Sequence, residues 1–194
     1  MNNIIGKAIA KATKLHAGQV RKGDGETPYI VHPIEVGIVV SEYSSIRELI
    51  VAGILHDTVE DCDYTIEEVE ADFGAEVARL VSALTEDKSI EDWLERKTEN
   101  LERLRTSQGA YSVKAIDVFT NMRSLLDALV SEGAVVWQRF KMPKEMMLAY
   151  YRLVLKDTEE FLPRKLIAEY VDVLKDLEYS EVLEKKQALG FALQ

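Results

Sequence analysis

The apolar run Leu49-Ile50-Val51-Ala52-Gly53-Ile54-Leu55 ends abruptly in His56-Asp57-Thr58-Val59-Glu60-Asp61. A helix that is apolar on every face is a buried helix, yet this one closes on an imidazole and three carboxylates. If the helix continues, successive residues are ~100° apart, which places Glu60 beneath His56 and Asp61 beneath Asp57. Such a cluster repels itself, and burial would force protons onto it. A divalent cation resolves the conflict: His56 and Asp57 become ligands, and Glu60 and Asp61 stand near the water that it holds. For the His-Asp pair taken alone, a solvated helix end with ordinary charges remains open. The rest of the chain must decide.

With 194 residues, 47% hydrophobic and 30% charged, the chain suits one compact domain over residues 1–194 with a real core. We find no secretory leader and no apolar run long enough to span a bilayer. The one cysteine, Cys62, excludes an internal disulfide and suits a cytoplasmic protein; it reads as a small filler residue. A net charge of −10 argues against a nucleic-acid partner, which would meet a basic stripe. It does not exclude a phosphate-bearing small molecule, because a metal and a few local cations can reverse the field in one cleft.

The periodicity predicts an all-α fold of roughly 8–10 helices. Residues 3–19 form an amphipathic helix with Ile5, Ile9, Ala12, Leu15 and His16 on one face, His16 being a hydrogen-bonded core histidine. Residues 20–31, with two glycines and a proline, form a loop that Arg21 and Lys22 open. These two are candidates to meet a phosphate or stack on a base. His32 lies just before a helix that Pro33 begins and Tyr43 ends. Ser45-x-x-Glu48 and Thr65-x-x-Glu68 read as capping boxes, the second opening a helix that ends at Gly74. A helix over 75–86 turns Val77, Leu80, Val81 and Leu84 inward. Ser89-x-x-Asp92 starts another with Trp93, Leu94, Leu101 and Leu104 on one side and Arg96 and Lys97 on a solvated face.

The helix over 110–130 carries an apolar stripe of Val113, Ile116, Met122, Leu126 and Leu129. Asp117 lies near that stripe and shares a face with Asn121, so a buried carboxylate there needs a partner. Arg123, ~200° around from Asn121, is set aside. After a loop at 131–142, helices run from Pro143 to Leu162 and from Pro163 to about Leu177, and Ser180 caps a last one near Leu189. Tyr150-Tyr151 and Met146-Met147 are core or the face of a homodimer. His32, His56, Asp57 and Asp117 thus make a four-ligand set without thiolates. Such donors favour Mn²⁺, Fe²⁺, Mg²⁺ or a catalytic Zn²⁺ over structural zinc.

The order H…HD…D resembles the HD-domain superfamily of metal-dependent phosphohydrolases. The finer text resembles the alarmone hydrolase domain of the RelA/SpoT family, in its stand-alone, Mesh-like small form. The matching stretches are HAGQVRKG at 16–23, PYIVHP at 28–33, AGILHDTVED at 52–61, WLERK at 93–97 and VKAIDVFTNMRSL at 113–125. By that resemblance the reaction removes the 3′-pyrophosphate of (p)ppGpp, giving GDP or GTP and pyrophosphate, with one divalent ion, usually Mn²⁺. The resemblance assigns His32, His56, Asp57 and Asp117 to the metal and Glu60 and Asp61 to the attacking water and its proton. It assigns Arg21 to the guanine, Lys22 to a phosphate and Asn121 to the ribose. One segment departs from the family: where ADRLHN or ADKLSN is usual, this chain reads IDVFTN, and Val118 replaces a basic residue. An HD phosphohydrolase acting on NADPH or a nucleoside monophosphate, or a binding module without turnover, therefore stays open.

Overall fold

The computed structural model describes residues 3–21 and 25–188, with side chains through residue 180. The described residues are all-α, as predicted. The helices are α1 (Ile4–Leu15), α2 (Val31–Tyr43), α3 (Arg47–Leu55), α4 (Thr58–Asp61), α5 (Ile66–Phe73), α6 (Ala75–Leu84), α7 (Trp93–Leu104), α8 (Gln108–Glu132), α9 (Lys144–Thr158) and α10 (Arg164–Ala188), with a 3-10 segment at Gly133–Arg139. The one extended pairing among the described residues is an isolated antiparallel bridge, Val20 to Pro28. None of their helices is long and apolar enough to cross a membrane. The chain divides into two compact units, one running up to Arg21 and over Glu26–Asp117, the other continuing from Val118.

In the first unit α3 is the axis. Ile50 through Leu55 are all buried, and the helix packs on α1, α2 and α6. Two glycines bring α2 and α3 together. A Cβ on Gly37 would stand 2.4 Å from Ile54 Cγ1, and one on Gly53 would stand 3.2 Å from Val36 Cγ1. Only bare backbone permits this approach, and it brings His32 of α2 close to His56 at the end of α3. On α6, Val77, Leu80, Val81 and Leu84 are buried as expected. Thr65 and Glu68 form the full capping box of α5, which stops at Gly74 with φ +92°.

Several local signals are overridden. α1 stops at Leu15, with His16 as its cap and Gly18 turning the chain at φ +81°. α2 starts at Val31, so His32 is within its first turn and not before it. Pro33 is harmless there, because the first N–H groups of a helix have no intrahelical partner. The Ser45 box does not form: Ile46 is the N-cap, and its own N–H donates to Ser44 Oγ. Asp92, not Ser89, caps α7, accepting from the Glu95 N–H at 2.8 Å, while Ser89 donates to Asp87. Leu94 is exposed.

In the second unit α9 ends at Thr158 and not Leu162. α10 runs unbroken past Ser180, whose hydroxyl bonds back to Leu177 C=O instead of capping a new helix. The predicted end of that last helix, Leu189, lies outside the described residues. Met147, Tyr150 and Tyr151 are buried and belong to the core.

Candidate metal centre

Asp57 breaks the helix that the sequence suggests would continue. α3 ends at Leu55, His56 and Asp57 form a turn, and α4 begins at Thr58. At this break His56 Nδ1 lies 2.7 Å from the Gly53 carbonyl. A carbonyl only accepts, so Nδ1 carries a hydrogen and Nε2 is the ring nitrogen turned toward the carboxylates. Nε2 is buried without a hydrogen-bond partner, although Asp57 Oδ2 stands 3.0 Å away and Asp117 Oδ1 3.6 Å away. His32 Nε2 lies 3.1 Å from Asp117 Oδ1. His32, His56 and Asp57 each offer a donor atom within 4.8 Å of the others.

Two carboxylates converging on buried imidazoles need positive charge among them, which a proton on His56 or a bound cation supplies. Burial pushes His56 toward the neutral form, but the Asp57 and Asp117 carboxylates outweigh it and hold its pKa well above the ordinary value. Burial likewise opposes ionisation of Asp117, and Lys114 and His56 reverse this, holding it well below the usual carboxylate range. His32 is lowered by burial, against the pull of Asp117, which keeps it a neutral donor. This donor set fits a divalent cation.

Glu60 and Asp61 lie on α4, one turn beyond His56 and Asp57, and meet partners of their own. Glu60 Oε2 accepts from the Glu86 N–H at 3.1 Å, and Lys88 Nζ lies 3.6 Å from Glu60 and 2.5 Å from Asp61. Burial, and then the Glu86 carboxylate, raise the Glu60 pKa against the opposing field of Lys114. Glu86 itself is buried, just beyond α6, and gathers Lys97, Arg96 at 3.3 Å and Lys114 at 3.8 Å. Arg96 and Lys97 are therefore not a solvated face: a buried carboxylate recruits them. Lys114 also donates to Asp117 Oδ2 at 3.0 Å. The residues that sequence reasoning missed are thus Lys88, Glu86 and Lys114. Only Lys114 had a signal, its i,i+3 spacing from Asp117.

Arg21 places its guanidinium 5.8 Å from the centre of the Tyr29 ring, and Tyr29 donates to Asp57. Lys22 lies outside the described residues. Asn121 is half-buried on α8, four positions beyond Asp117 and in the second unit. There Val118, Phe119 and Thr120 are buried, and Phe119 stacks on Tyr170 with ring centres 6.1 Å apart. His16 is a buried histidine bonded to Gln19 Oε1 at 2.7 Å. Burial pushes the neighbouring Cys62 thiol up, away from thiolate chemistry.

A helical fold that brings donor atoms of two buried histidines and an aspartate within 4.8 Å of one another suits the HD domain. The HD domain pattern matches residues 8–144, and the chain belongs to that family. It is 44% identical over 117 residues to the guanosine-3′,5′-bis(diphosphate) 3′-pyrophosphohydrolase MESH1 of Mus musculus, a match covering 59% of this chain and 65% of that one. The chain thus spans somewhat under two thirds of that relative's length. Among solved structures it resembles a metazoan ortholog of SpoT that hydrolyzes ppGpp, with a TM-score of 0.76 and 27% identity over 91% of this chain and 96% of that one. It also resembles a protein of Listeria monocytogenes EGD-e, with a TM-score of 0.67 and 34% identity over 74% and 96% of the two chains.

Proposed function

We propose that the protein is a metal-dependent (p)ppGpp 3′-pyrophosphohydrolase, releasing pyrophosphate and GDP or GTP. The observation that carries this reading is the orphaned His56 Nε2 facing Asp57 and Asp117, in a chain so similar to an enzyme of that name. In this reading His32, His56, Asp57 and Asp117 hold one divalent cation, with Mn²⁺ the proposed ion. A cation bound there supplies Lewis acidity to the attacking water and to the phosphoryl oxygens. Glu60, with its raised pKa, accepts the proton of that water. Asp61, held by Lys88, orients the water. Arg21 meets the guanine, Lys22 a phosphate and Asn121 the ribose.

The same reading treats residues 1–194 as a single hydrolase domain, supported by a family match that runs across the boundary between the units. It places the protein in the cytoplasm, in keeping with its one cysteine, a free thiol.

A second reading, an HD phosphohydrolase acting on NADPH or a nucleoside monophosphate, is favoured by Val118, buried and uncharged where the resembled family has a basic residue. Incubation with ppGpp and Mn²⁺, following pyrophosphate and orthophosphate separately, decides between them. Pyrophosphate that disappears with chelator supports the first reading. Orthophosphate from NADPH, with ppGpp untouched, refutes it.

A further inference from the structure

We propose that Tyr29 is a positioning residue that ties the arginine on the nucleotide side of the centre to the aspartate on its metal side. The inference rests on the metal reading above and concerns a residue to which that reading gives no task.

Tyr29 is anchored from both directions along the chain. Its N–H donates to Gln19 C=O at 2.9 Å, next to the Val20–Pro28 bridge, and its own carbonyl accepts the His32 N–H at 3.0 Å. The side chain then meets four partners. Its hydroxyl donates to Asp57 Oδ2. One face of the ring carries the Arg21 guanidinium at 5.8 Å. The ring stands edge-on to His32, with centres 5.9 Å apart and planes at 69°, and is tilted against His16 at 5.0 Å.

A single rigid side chain therefore touches a proposed metal histidine, a proposed metal carboxylate and the proposed base-stacking arginine. A ligating carboxylate is oriented by the donors that hold its other lone pairs, and at Asp57 the phenol is such a donor. A planar cation is oriented by the ring it lies over, and for Arg21 that ring is the same phenol. Packing alone would be served equally by phenylalanine, which lacks only the bond to Asp57.

The test is a Mn²⁺ titration of wild type, Tyr29→Phe and Tyr29→Leu, read by the electron paramagnetic resonance of free Mn²⁺, with thermal midpoints and ppGpp kinetics at saturating Mn²⁺. Tyr29→Phe is expected to raise the Mn²⁺ Kd about 10-fold, the usual scale for losing a donor behind a ligand, with KM for ppGpp unmoved. Tyr29→Leu is expected to raise the Kd similarly and also to raise KM by roughly 2- to 5-fold, through loss of the Arg21 platform. A Tyr29→Phe Kd within about 2-fold of wild type, with or without a lower thermal midpoint, overturns the metal half of the proposal. Equal KM values for the two variants overturn the arginine half. Wild type that binds no Mn²⁺ removes the metal reading and this inference with it. Mn²⁺ binding without ppGpp turnover refutes the substrate and the arginine half, and leaves the Kd comparison decisive for the metal half.

Discussion

Lys114→Met removes the one buried ammonium that Asp117 and Glu86 share while keeping most of its aliphatic stem. The side chain is 7% exposed, and Nζ lies 3.0 Å from Asp117 Oδ2 and 3.8 Å from Glu86 Oε1. A unit pair at 3.0 Å is worth on the order of 5 kcal/mol gross at an effective dielectric of about 20. Desolvation of the ammonium offsets part of this. The loss on deletion is dominated by the carboxylate left behind, for which ~3–5 kcal/mol is typical of a buried pair. Glu86 keeps Arg96 and Lys97, so the burden falls on Asp117, and the lower end, ~3 kcal/mol, is the expected cost.

A bound divalent cation would neutralise the same carboxylate. The loss should therefore be large in metal-free protein and markedly smaller in saturating Mn²⁺. Urea unfolding of both proteins, with EDTA and with Mn²⁺, measures it. A loss below about 1 kcal/mol without metal, or a loss of equal size in both conditions, would refute the argument that Lys114 balances Asp117.

Asp57→Ala should abolish both metal retention and turnover, and full metal occupancy of that variant would sink the ligand assignment. Because burial and Glu86 raise the Glu60 pKa, and the base must be ionised to take a proton, kcat/KM should fall as pH drops through a value above the ordinary carboxylate range, near ~4.3. Glu60→Gln should keep the metal, lose rate and erase that acidic limb; a variant that keeps the limb points to another base. Gly37→Ala forces its methyl to within 2.4 Å of Ile54 Cγ1 and should cost about 1–3 kcal/mol of stability; an unchanged thermal midpoint would show that α2 and α3 can separate freely.

Near neighbours in the chain were legible without a structure. The all-apolar run before His56 is a buried helix because no face of it can be left to water. The Thr65–Glu68 box closes because both partners lie within one turn. The proposal of His32, His56, Asp57 and Asp117 as ligands rests on residue type and motif order, and the structure groups donor atoms of the first three within 4.8 Å. Local signals failed where a competing local bond was as good. Ile46 took the cap from Ser45, Asp92 took it from Ser89, and Ser180 bonded back into its own helix.

Tertiary packing alone decided which charges meet. Tyr29 reaches Asp57 across 28 residues, Glu60 finds the Glu86 N–H across 26, and His32 meets Asp117 across 85. Arg96 and Lys97 read as ordinary surface charges because their helix is strongly polar, and the sequence does not reveal that Glu86, just past α6, is sealed from water. The physical reason is the same throughout. Helix periodicity and capping are settled within a turn or two by backbone geometry. The pairing of a buried charge is settled by whichever opposite charge the close-packed helices bring within reach, since leaving it unpaired costs more than any local preference can repay.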